Sequence, residues 1–358
     1  MSYISQVSET LANSNPVVSV IILNYNGLKF LPRCLESLRK TTYSPLEIFV
    51  VDNDSTDSSL EYLREHHPDV KLIPIKENLG YSGAYNHSVP LTHGKYSVLL
   101  NFDVEVEPSW LDQAIELLEA DEHLAAVQPK LKAYQDHSKF EYSGGSGGYI
   151  DAFGFPFVRG RLFDVIEQDT GQYEDVVPIF WATGAAYVVR KSAFEEAGGL
   201  DRDFFMHMEE LDLCWRFWLT GKRIKVAPKG IVYHYAGAAL SADSYLKMYL
   251  NHRNSLAMML KNYGCSSLLK RIPIRLLLDW ITILASPLRG EGKRSRAVLA
   301  AHWYILTHLT SIYRKRRRVQ RMRTVRDEEL GHVIMPFCLV WRFYLKKQKV
   351  FSDLAVNR

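Results

Sequence analysis

Residues 17–27 read VVSVIILNYNG, and residues 47–56 read EIFVVDNDST. Each stretch is a short apolar run, rich in β-branched side chains, that ends in a polar turn. Such runs are typical of strands that are buried on both faces of a parallel sheet. A segment with helical spacing follows each run, and the alternation continues to about residue 122. Strands that alternate with helices predict a doubly wound, Rossmann-like α/β sheet.

Polar clusters follow the predicted strands at the points where the strands end. In doubly wound sheets the ligand lies outside the carboxyl ends of the strands, where such turns meet. The sequence therefore predicts a single binding site formed by four turns, which are Asn24-Tyr25-Asn26, Asp52-Asn53-Asp54, Asn78-Leu79-Gly80 and Asn101-Phe102-Asp103. Gly80 also begins a predicted helix whose free amides would face a phosphate, although a plain turn explains it equally well.

Acidic side chains occur at two further places that matter for chemistry. Asp103 and Glu105 are two residues apart at a strand end, and clustered carboxylates with a diphosphate suit Mg²⁺ or Mn²⁺. A solvated loop is the simpler explanation for two such residues alone. Glu209 and Glu210 open an amphipathic helix, where the helix dipole favours acids and where a general base is equally conceivable. His234 by itself indicates a core histidine more than a metal ligand.

Composition and charge constrain the class of protein. The four cysteines are too far apart for a zinc site or a disulfide framework, and the N-terminus does not resemble a signal peptide. We therefore expect a reduced, cytoplasmic protein. Residues 241–358 contain 23 basic and 7 acidic side chains, a net charge of +16, whereas residues 1–240 carry −12. A basic C-terminal region predicts a partner that carries phosphate groups.

Seven segments in order resemble one known family: VSVIILNYNG, VVDNDSTDSS, ENLGYSGAYN, LLNFDVEVEP, ATGAAYVVRKSAF, DRDFFMHMEELDLCWRFWLTGKRI and VYHYAG. The set is similar to the inverting family 2 glycosyltransferases of GT-A fold, and most of all to bacterial rhamnosyltransferases and galactofuranosyltransferases. The resemblance covers roughly residues 15–255. The QxxRW segment typical of processive relatives is absent from the sequence, which favours addition of a single sugar.

The resemblance implies roles for particular residues. Asp103, His234 and Glu105 would hold a Mg²⁺ or Mn²⁺ ion, with Asn101 replacing the first Asp of the family's DxD motif. The catalytic base would be Glu210 or its neighbour Glu209, because MEELD resembles the family's E-D-x-D segment. The remaining positions would bind the nucleotide diphosphate sugar; they are Asn24, Asn26, Asp52, Asn78, Gly80, Asn101, Thr183, Gly184 and Arg253.

The basic C-terminal region contains two apolar runs, residues 276–288 and 297–313. Both are too short or too polar to span a bilayer with ease, so we expect helices that lie on an anionic membrane. A packed helical subdomain or a homo-oligomer interface is the alternative, and nucleic acid is disfavoured because no recognition fold accompanies the charge. The predicted domains are an N-terminal extension (1–15), a GT-A domain (16–240) and a basic helical region (241–358).

The predicted function is transfer of one sugar to a glycan or lipid-linked acceptor in cell-surface polysaccharide synthesis. The protein would act peripherally, at the inner face of the cytoplasmic membrane. By family likeness alone, dTDP-rhamnose is the first donor to consider. Two other classes remain open: a non-catalytic GT-A scaffold or nucleotide-sugar sensor, and a nucleotidyltransferase, although the latter lacks its glycine-rich basic loop after the first strand.

Overall fold

The computed structural model describes residues 15–235, 244–354 and 356. The strands in this part of the chain are β1 (Val18–Asn24), β2 (Leu46–Asn53), β3 (Lys71–Ile75), β4 (Tyr96–Asn101), β5 (Val104–Val106), β6 (Leu124–Ala133), β7 (Asp136–Phe140), β8 (Gly148–Asp151), β9 (Pro156–Val158), β10 (Arg161–Leu162), β11 (Val165–Ile166), β12 (Ala186–Arg190), β13 (Arg223–His234) and β14 (Ile334–Met335). The predicted N-terminal extension and the 240/241 boundary fall almost wholly outside the described residues.

The α-helices of the described residues alternate with these strands in the first half of the chain and dominate the second half. They are α1 (Leu31–Arg39), α2 (Ser59–His66), α3 (Gly80–Ser88), α4 (Asp112–Ala120), α5 (Lys191–Glu196), α6 (Glu209–Leu219), α7 (Tyr245–Asn262), α8 (Cys265–Leu288), α9 (Gly292–Thr307), α10 (Leu309–Met322) and α11 (Leu339–Tyr344).

The main sheet has the order β3-β2-β1-β4-β12-β6-β13-β5, with β7 paired to β6. Strands β3, β2, β1 and β4 are parallel, and β12 runs antiparallel to β4. All seven residues of β1 are buried, as expected for a strand covered by helices on both faces. The predicted α/β fold class is therefore confirmed.

The strand register brings the predicted polar turns to one edge of the sheet. Asn24 is the register partner of Asp52, and the neighbouring Leu23 is the partner of Asn101. On the other side of β4, the end of β13 pairs with β5, so that His234 lies beside Val104. Side chains from strands β1, β2, β4 and β13 thus approach the same edge.

From about residue 130 to 178 the alternation of strand and helix patterns weakens, and the run SGGSGGYIDAFGFP read alone predicts a mobile or glycine-permitted backbone. Strands β8 to β11, between residues 148 and 166, instead form a second sheet together with β14, in the order β11-β10-β9-β8-β14. Its glycines have a packing reason: a Cβ on Gly148 would lie 2.2 Å from the Trp181 ring, and one on Gly160 would lie 2.4 Å from the Phe140 ring. These positions are glycine because aromatic side chains pack directly on the backbone.

The last described elements of the chain pack against residues of its first half. β14 adds to the second sheet in parallel with β8, and the backbone N–H of Leu339 donates to Asp151. Phe351 packs on Tyr149 and Tyr173. One hydrophobic cluster contains residues from both halves, so the helical region is part of the same core in the described residues. No helix in this part of the chain is both long and apolar enough to cross a membrane.

Candidate active site

The structure brings together Asp103 and His234, which the sequence suggested as metal ligands. Asp103 follows β4 and His234 ends β13, and the imidazole Nε2 lies 3.3 Å from the Asp103 Oδ1. Both side chains are buried, with 5% and 6% of their surface exposed. The backbone N–H of Tyr235 also donates to the Asp103 carbonyl at 3.0 Å, which fixes the two chain segments relative to each other.

A third residue, the acid Glu141, completes this cluster and was missed by sequence reasoning. Its Oε1 lies 3.1 Å from the Nδ1 of His234, and its carboxylate also accepts hydrogen bonds from the backbone and side chain of Ser143. Burial alone would lower the pKa of His234, but the carboxylates of Asp103 and Glu141 raise it to about 10. No motif marks Glu141 in the sequence, because it reaches the site only through the pairing of β6 with β7.

Asp103 and His234 have the side-chain chemistry of a pair of metal ligands, and Glu141 is an acid that supports the His234 imidazole. Ligating histidines commonly donate their second ring N–H to a carboxylate, which fixes the tautomer and frees the other nitrogen for the metal. Among the described residues, no three His, Cys, Asp or Glu side chains converge as a complete metal site. A metal here would therefore need oxygen ligands from a bound molecule, which is common when phosphates are present.

Glu105, the other suggested metal ligand, has a different environment. It is half-buried on β5, and its carboxylate is hydrogen-bonded to the hydroxyl of Tyr134. That hydroxyl also accepts from Arg33, and the Tyr134 ring stacks on Tyr235 at 4.0 Å. The described contacts of Glu105 are thus with this Tyr and Arg cluster rather than with His234.

The polar residues that end β1 and β2 are bonded mainly to one another. The Nδ2 of Asn24 donates to Asp52, Ser55 and Ser59, and Asn24 is fully buried. The second carboxylate oxygen of Asp52 accepts from the backbone of Ser55. Asn26 is exposed, with φ 52°, and its side-chain oxygen accepts from the backbone N–H groups of residues 56 and 57. These residues shape the edge of the sheet and join its first two turns.

The turn before α3 is similarly occupied by internal hydrogen bonds. Asn78 accepts from the side chain of Asn53 and from the backbone N–H of Gly80. The backbone N–H groups of residues 79 and 82 donate to Asn53 and to the Phe205 carbonyl. The backbone N–H groups of residues 79, 80 and 82, beside the predicted phosphate position, therefore already have protein acceptors in this conformation.

The segment Thr183-Gly184-Ala185 links the end of β4 to the start of α6. The Ala185 carbonyl accepts from the backbone N–H of Asn101 at 2.9 Å. The Gly184 backbone contributes a hydrogen bond to the Glu210 carboxylate. The Gly184 carbonyl accepts from the hydroxyl of Tyr81 at 2.8 Å. The segment thus connects the surroundings of Asp103 with the two glutamates.

Glu209 and Glu210 begin α6 and differ in exposure. Glu209 is only 3% exposed and Glu210 is partly exposed beside Gly184, and both carboxylates lie near the buried Tyr81 and Tyr187. Burial raises the pKa of Glu210 to about 7, and burial together with the charge of Glu210 raises the pKa of Glu209 well above its usual value. One carboxylate oxygen of each residue has no hydrogen-bond partner within the described residues.

The third acid of this helix, Asp212, has a structural role. It is fully buried and accepts from Arg216 at 3.0 Å and from Asn262 at 2.9 Å. It also forms an ion pair with Lys261 at 3.0 Å. Asp212 therefore fastens α6 to α7 and has no oxygen left for chemistry.

Arg253 and Asn254 hold the loop that leads into α6. Arg253 donates to the carbonyls of Asp203 and Phe204, so its guanidinium is engaged by the protein rather than aimed at a free phosphate site. The Nδ2 of Asn254 lies 2.7–3.1 Å from the carbonyls of Phe204, Met206 and His207. Within this loop, three residues other than glycine adopt left-handed backbone conformations: Phe205, His207 and Met208. Such conformations are unfavourable unless the surroundings enforce them.

Comparisons with known proteins show which family this chain resembles in sequence and in fold. The sequence model of glycosyl transferase family 2 matches residues 19–196. The chain is 25% identical over 297 residues to an N-acetylglucosaminyl-diphospho-decaprenol L-rhamnosyltransferase of Mycobacterium tuberculosis, covering 78% of this chain and 95% of that protein. The described fold is similar to a mannosyltransferase of Pyrobaculum calidifontis solved with GDP-Man and Mn²⁺, with a TM-score of 0.50 at 18% identity, covering 87% and 84% of the two chains.

A second solved structure is similar in fold. GalNAc-T7, solved with UDP, GalNAc and Mn²⁺, has a TM-score of 0.58 at 15% identity over 84% of this chain, which spans 58% of that longer protein. The mixed α/β fold, with its mostly parallel sheet and flanking helices, is GT-A-like. The chain belongs to glycosyl transferase family 2 and transfers a sugar from a nucleotide-sugar donor. It is therefore an enzyme rather than a non-catalytic scaffold.

Proposed function

We propose that this enzyme is an inverting, metal-dependent transferase that adds one sugar to a hydroxyl of a glycan or lipid-linked acceptor. The observation that carries the proposal is Glu210. Its side chain is partly exposed, one of its carboxylate oxygens is buried without a hydrogen-bond partner among the described residues, and its pKa is raised to about 7. A carboxylate with these properties is suited to accept a proton from an acceptor hydroxyl near neutral pH.

The roles of the two adjacent glutamates differ for a physical reason. Glu209 is buried, and burial together with the charge of Glu210 raises its pKa well above its usual value, which disfavours the ionised form that a base requires. A proton on Glu209 would also spare Glu210 a second negative charge beside it. We therefore assign the base to Glu210 and treat Glu209 as part of its supporting core.

Asp103 and His234 would hold the metal, with Glu141 orienting the imidazole. A set of one carboxylate oxygen and one imidazole nitrogen suits Mn²⁺ better than Mg²⁺, which strongly prefers oxygen ligands. When bound, the metal would offset the negative charge that develops on the departing nucleoside diphosphate. Both similar solved structures were determined with Mn²⁺, which supports this choice.

Inversion requires a single in-line displacement at the anomeric carbon. Glu210 takes the proton of the acceptor hydroxyl as that oxygen attacks, and the Gly184 backbone holds the carboxylate in position. The new glycosidic bond forms on the face opposite to the breaking bond with the diphosphate. The buried surroundings of Glu210 exclude water and so limit hydrolysis of the donor.

The donor proposed first is dTDP-rhamnose, because the mycobacterial relative is an L-rhamnosyltransferase. That relative is named for an N-acetylglucosaminyl-diphospho-decaprenol. The name supports a lipid-linked acceptor for this enzyme and a location at the inner face of the cytoplasmic membrane. A thermal-shift screen of dTDP, UDP and GDP sugars, each with and without Mn²⁺, tests the donor. We expect a metal-dependent rise in Tm with one donor. Equal shifts with every donor would contradict the choice of dTDP-rhamnose.

The catalytic assignment is tested by a matched pair of substitutions. Glu210→Gln keeps the shape of the side chain but removes the base, so transfer should fall by about 10²–10⁴-fold while nucleotide affinity stays unchanged. Glu209→Gln mimics the neutral acid that the structure already favours, so its activity should stay within about threefold of the original enzyme. An active Glu210→Gln enzyme together with an inactive Glu209→Gln enzyme would move the base by one residue.

A further inference from the structure

Helix α8 exposes an apolar face to the surroundings of the protein. Between residues 273 and 288, every exposed side chain is apolar: Pro273, Ile274, Leu276, Leu277, Trp280, Ile281, Leu284, Pro287 and Leu288. Trp280 is 51% exposed, Leu284 is 69% exposed and Leu288 is 89% exposed. Large contiguous apolar surfaces of this kind mark sites of interaction, because water solvates them poorly.

Between residues 273 and 288, the two charged residues of the helix point inward. Arg275 and Asp279 are each 1% exposed and form an ion pair at 3.1 Å. Arg275 also donates to the Phe153 carbonyl, and Asp279 lies 3.1 Å from His302 of α9. A surface helix of a water-soluble protein usually shows the reverse pattern. The buried ionic contacts hold α8 with its apolar face outward.

The apolar surface continues onto the next helices and is accompanied by positive charge. On α9, Leu299, Trp303 and Leu306 are 45%, 68% and 63% exposed, at a spacing of four and three residues. The exposed basic residues nearby in the chain are Arg289, Lys293 and Arg296 at the α8–α9 connection and Arg314, Arg317, Arg318 and Arg321 on α10. Exposed tryptophan beside arginine and lysine is typical of a surface that sits at the level of lipid headgroups.

We propose that the outward face of α8, with the exposed stripe of α9, is the surface that docks this enzyme onto an anionic bilayer. The apolar side chains would enter the acyl boundary while the basic residues contact the lipid phosphates. The proposal builds on the membrane location given above and adds the surface responsible. It does not depend on the donor, the metal or the base, because docking requires no turnover.

Charge favours a bilayer over a second copy of the chain as the occupant of this face. Residues 241–358 carry a net charge of +16, so two copies meeting through this region would bring like charges together. An anionic membrane instead attracts these basic side chains, and each one near the surface strengthens binding roughly fivefold. The helices need only lie on the bilayer, since none in the described residues could span it.

Flotation of the full-length enzyme with vesicles tests the proposal. The vesicles are phosphatidylcholine alone or phosphatidylcholine with phosphatidylglycerol, at low and at high salt. The test variant combines Trp280→Glu and Leu284→Glu, and the matched control combines Leu91→Glu and Val176→Glu, which add the same charge at exposed apolar positions elsewhere. Binding of a nucleoside diphosphate and Tm show that each variant is folded.

We expect the original enzyme to float with the anionic vesicles at low salt. The test variant should lose binding by about tenfold or more, and the control should float like the original enzyme. A third variant, Arg289→Gln with Lys293→Gln and Arg296→Gln, should bind more weakly and depend less on salt.

Three results would overturn the proposal. In the first, the original enzyme stays unbound at low salt. In the second, a folded test variant floats as well as the control. In the third, sedimentation shows that the original enzyme is a dimer and the test variant a monomer, and neither protein floats. That result would assign the face to a second copy of the chain. If transfer assays fail but flotation succeeds, the reaction proposed above is wrong and the docking surface stands.

Discussion

Replacement of Asn254 by alanine should release the loop that positions the catalytic base. Asn254 is fully buried on α7, and its side-chain amide lies 2.7–3.1 Å from three carbonyl oxygens of residues 204–207. The same loop holds Phe205, His207 and Met208 in left-handed conformations immediately before Glu209. Alanine removes the donor that these carbonyls share.

The size of the effect follows from the contacts. Two N–H groups form hydrogen bonds that contribute about 1 kcal/mol each, and carbonyls left unpaired in the interior cost about 1–3 kcal/mol more. We therefore expect the free energy of unfolding to fall by about 2–4 kcal/mol. Three left-handed residues store roughly 3 kcal/mol or more of backbone strain. The strain energy is comparable to the free energy of the hydrogen bonds that are lost. We therefore expect the loop to relax locally rather than keep its shape.

The assay compares kcat, the KM for the donor and the pH profile of the variant with those of the original enzyme. We expect kcat to fall by about 10–100-fold with little change in KM, because Glu210 moves while the nucleotide contacts remain. A relaxed loop also exposes Glu210 to water, so its pKa should fall from about 7 and the acid limb should move to lower pH.

The matched control is Ser255→Ala on the same helix. Ser255 is also buried, but its hydroxyl donates to the Gly154 carbonyl and accepts from Arg275, away from the loop. We expect this variant to lose about 1–2 kcal/mol of stability and to keep kcat within about twofold. If Asn254→Ala lowers the unfolding free energy as predicted but leaves both kcat and the acid limb unchanged, the loop geometry does not depend on Asn254.

Three further predictions concern other parts of the site. Because the base must be ionised, kcat/KM of the original enzyme should fall about tenfold per pH unit below the Glu210 pKa of about 7, and an acid limb near 4 would contradict the burial argument. Glu141→Gln should weaken Mn²⁺ binding by about 10–100-fold, measured by calorimetry in the presence of a nucleoside diphosphate, while leaving metal-free nucleotide affinity unchanged. Gly80→Ala places a Cβ 2.5 Å from the Phe205 carbonyl oxygen at φ +65° and should lower the unfolding free energy by about 3 kcal/mol in chemical denaturation. Its control is Gly171→Ala, where φ is +84° and no atom of the described residues, apart from the chain neighbours, lies within 4 Å of the new Cβ; this variant should lose only about 1–2 kcal/mol.

The first four strands and their helices could be predicted from the sequence because each signal is local. The apolar run of β1 is buried along its whole length, and the following helix α1 shows the spacing of an amphipathic helix. Parallel strands place their carboxyl ends together, so the edge that holds Asn24, Asp52 and Asn101 also followed from the pattern.

The second sheet could not be predicted, because its signals are weak and its partners are distant in the chain. The glycines of residues 143–160 indicate a loose segment when read alone, yet Trp181 and Phe140 pack directly on two of them. Strand β14 joins β8 from the far end of the sequence. Only the complete tertiary fold brings these pieces together, since short strands have little preference of their own.

By itself the sequence determined that polar and acidic groups would converge at the carboxyl edge of a parallel sheet. The tertiary structure alone decided what each group does there. It brought Glu141 to His234, satisfied Asp52 within the protein, and engaged the Arg253 guanidinium with backbone carbonyls. It also gave Glu209 and Glu210 different degrees of burial, although nothing in the sequence distinguishes the two residues. Glu209 is buried at the start of α6, whereas Glu210 keeps part of its surface exposed beside Gly184, and burial raises the pKa of both carboxyl groups.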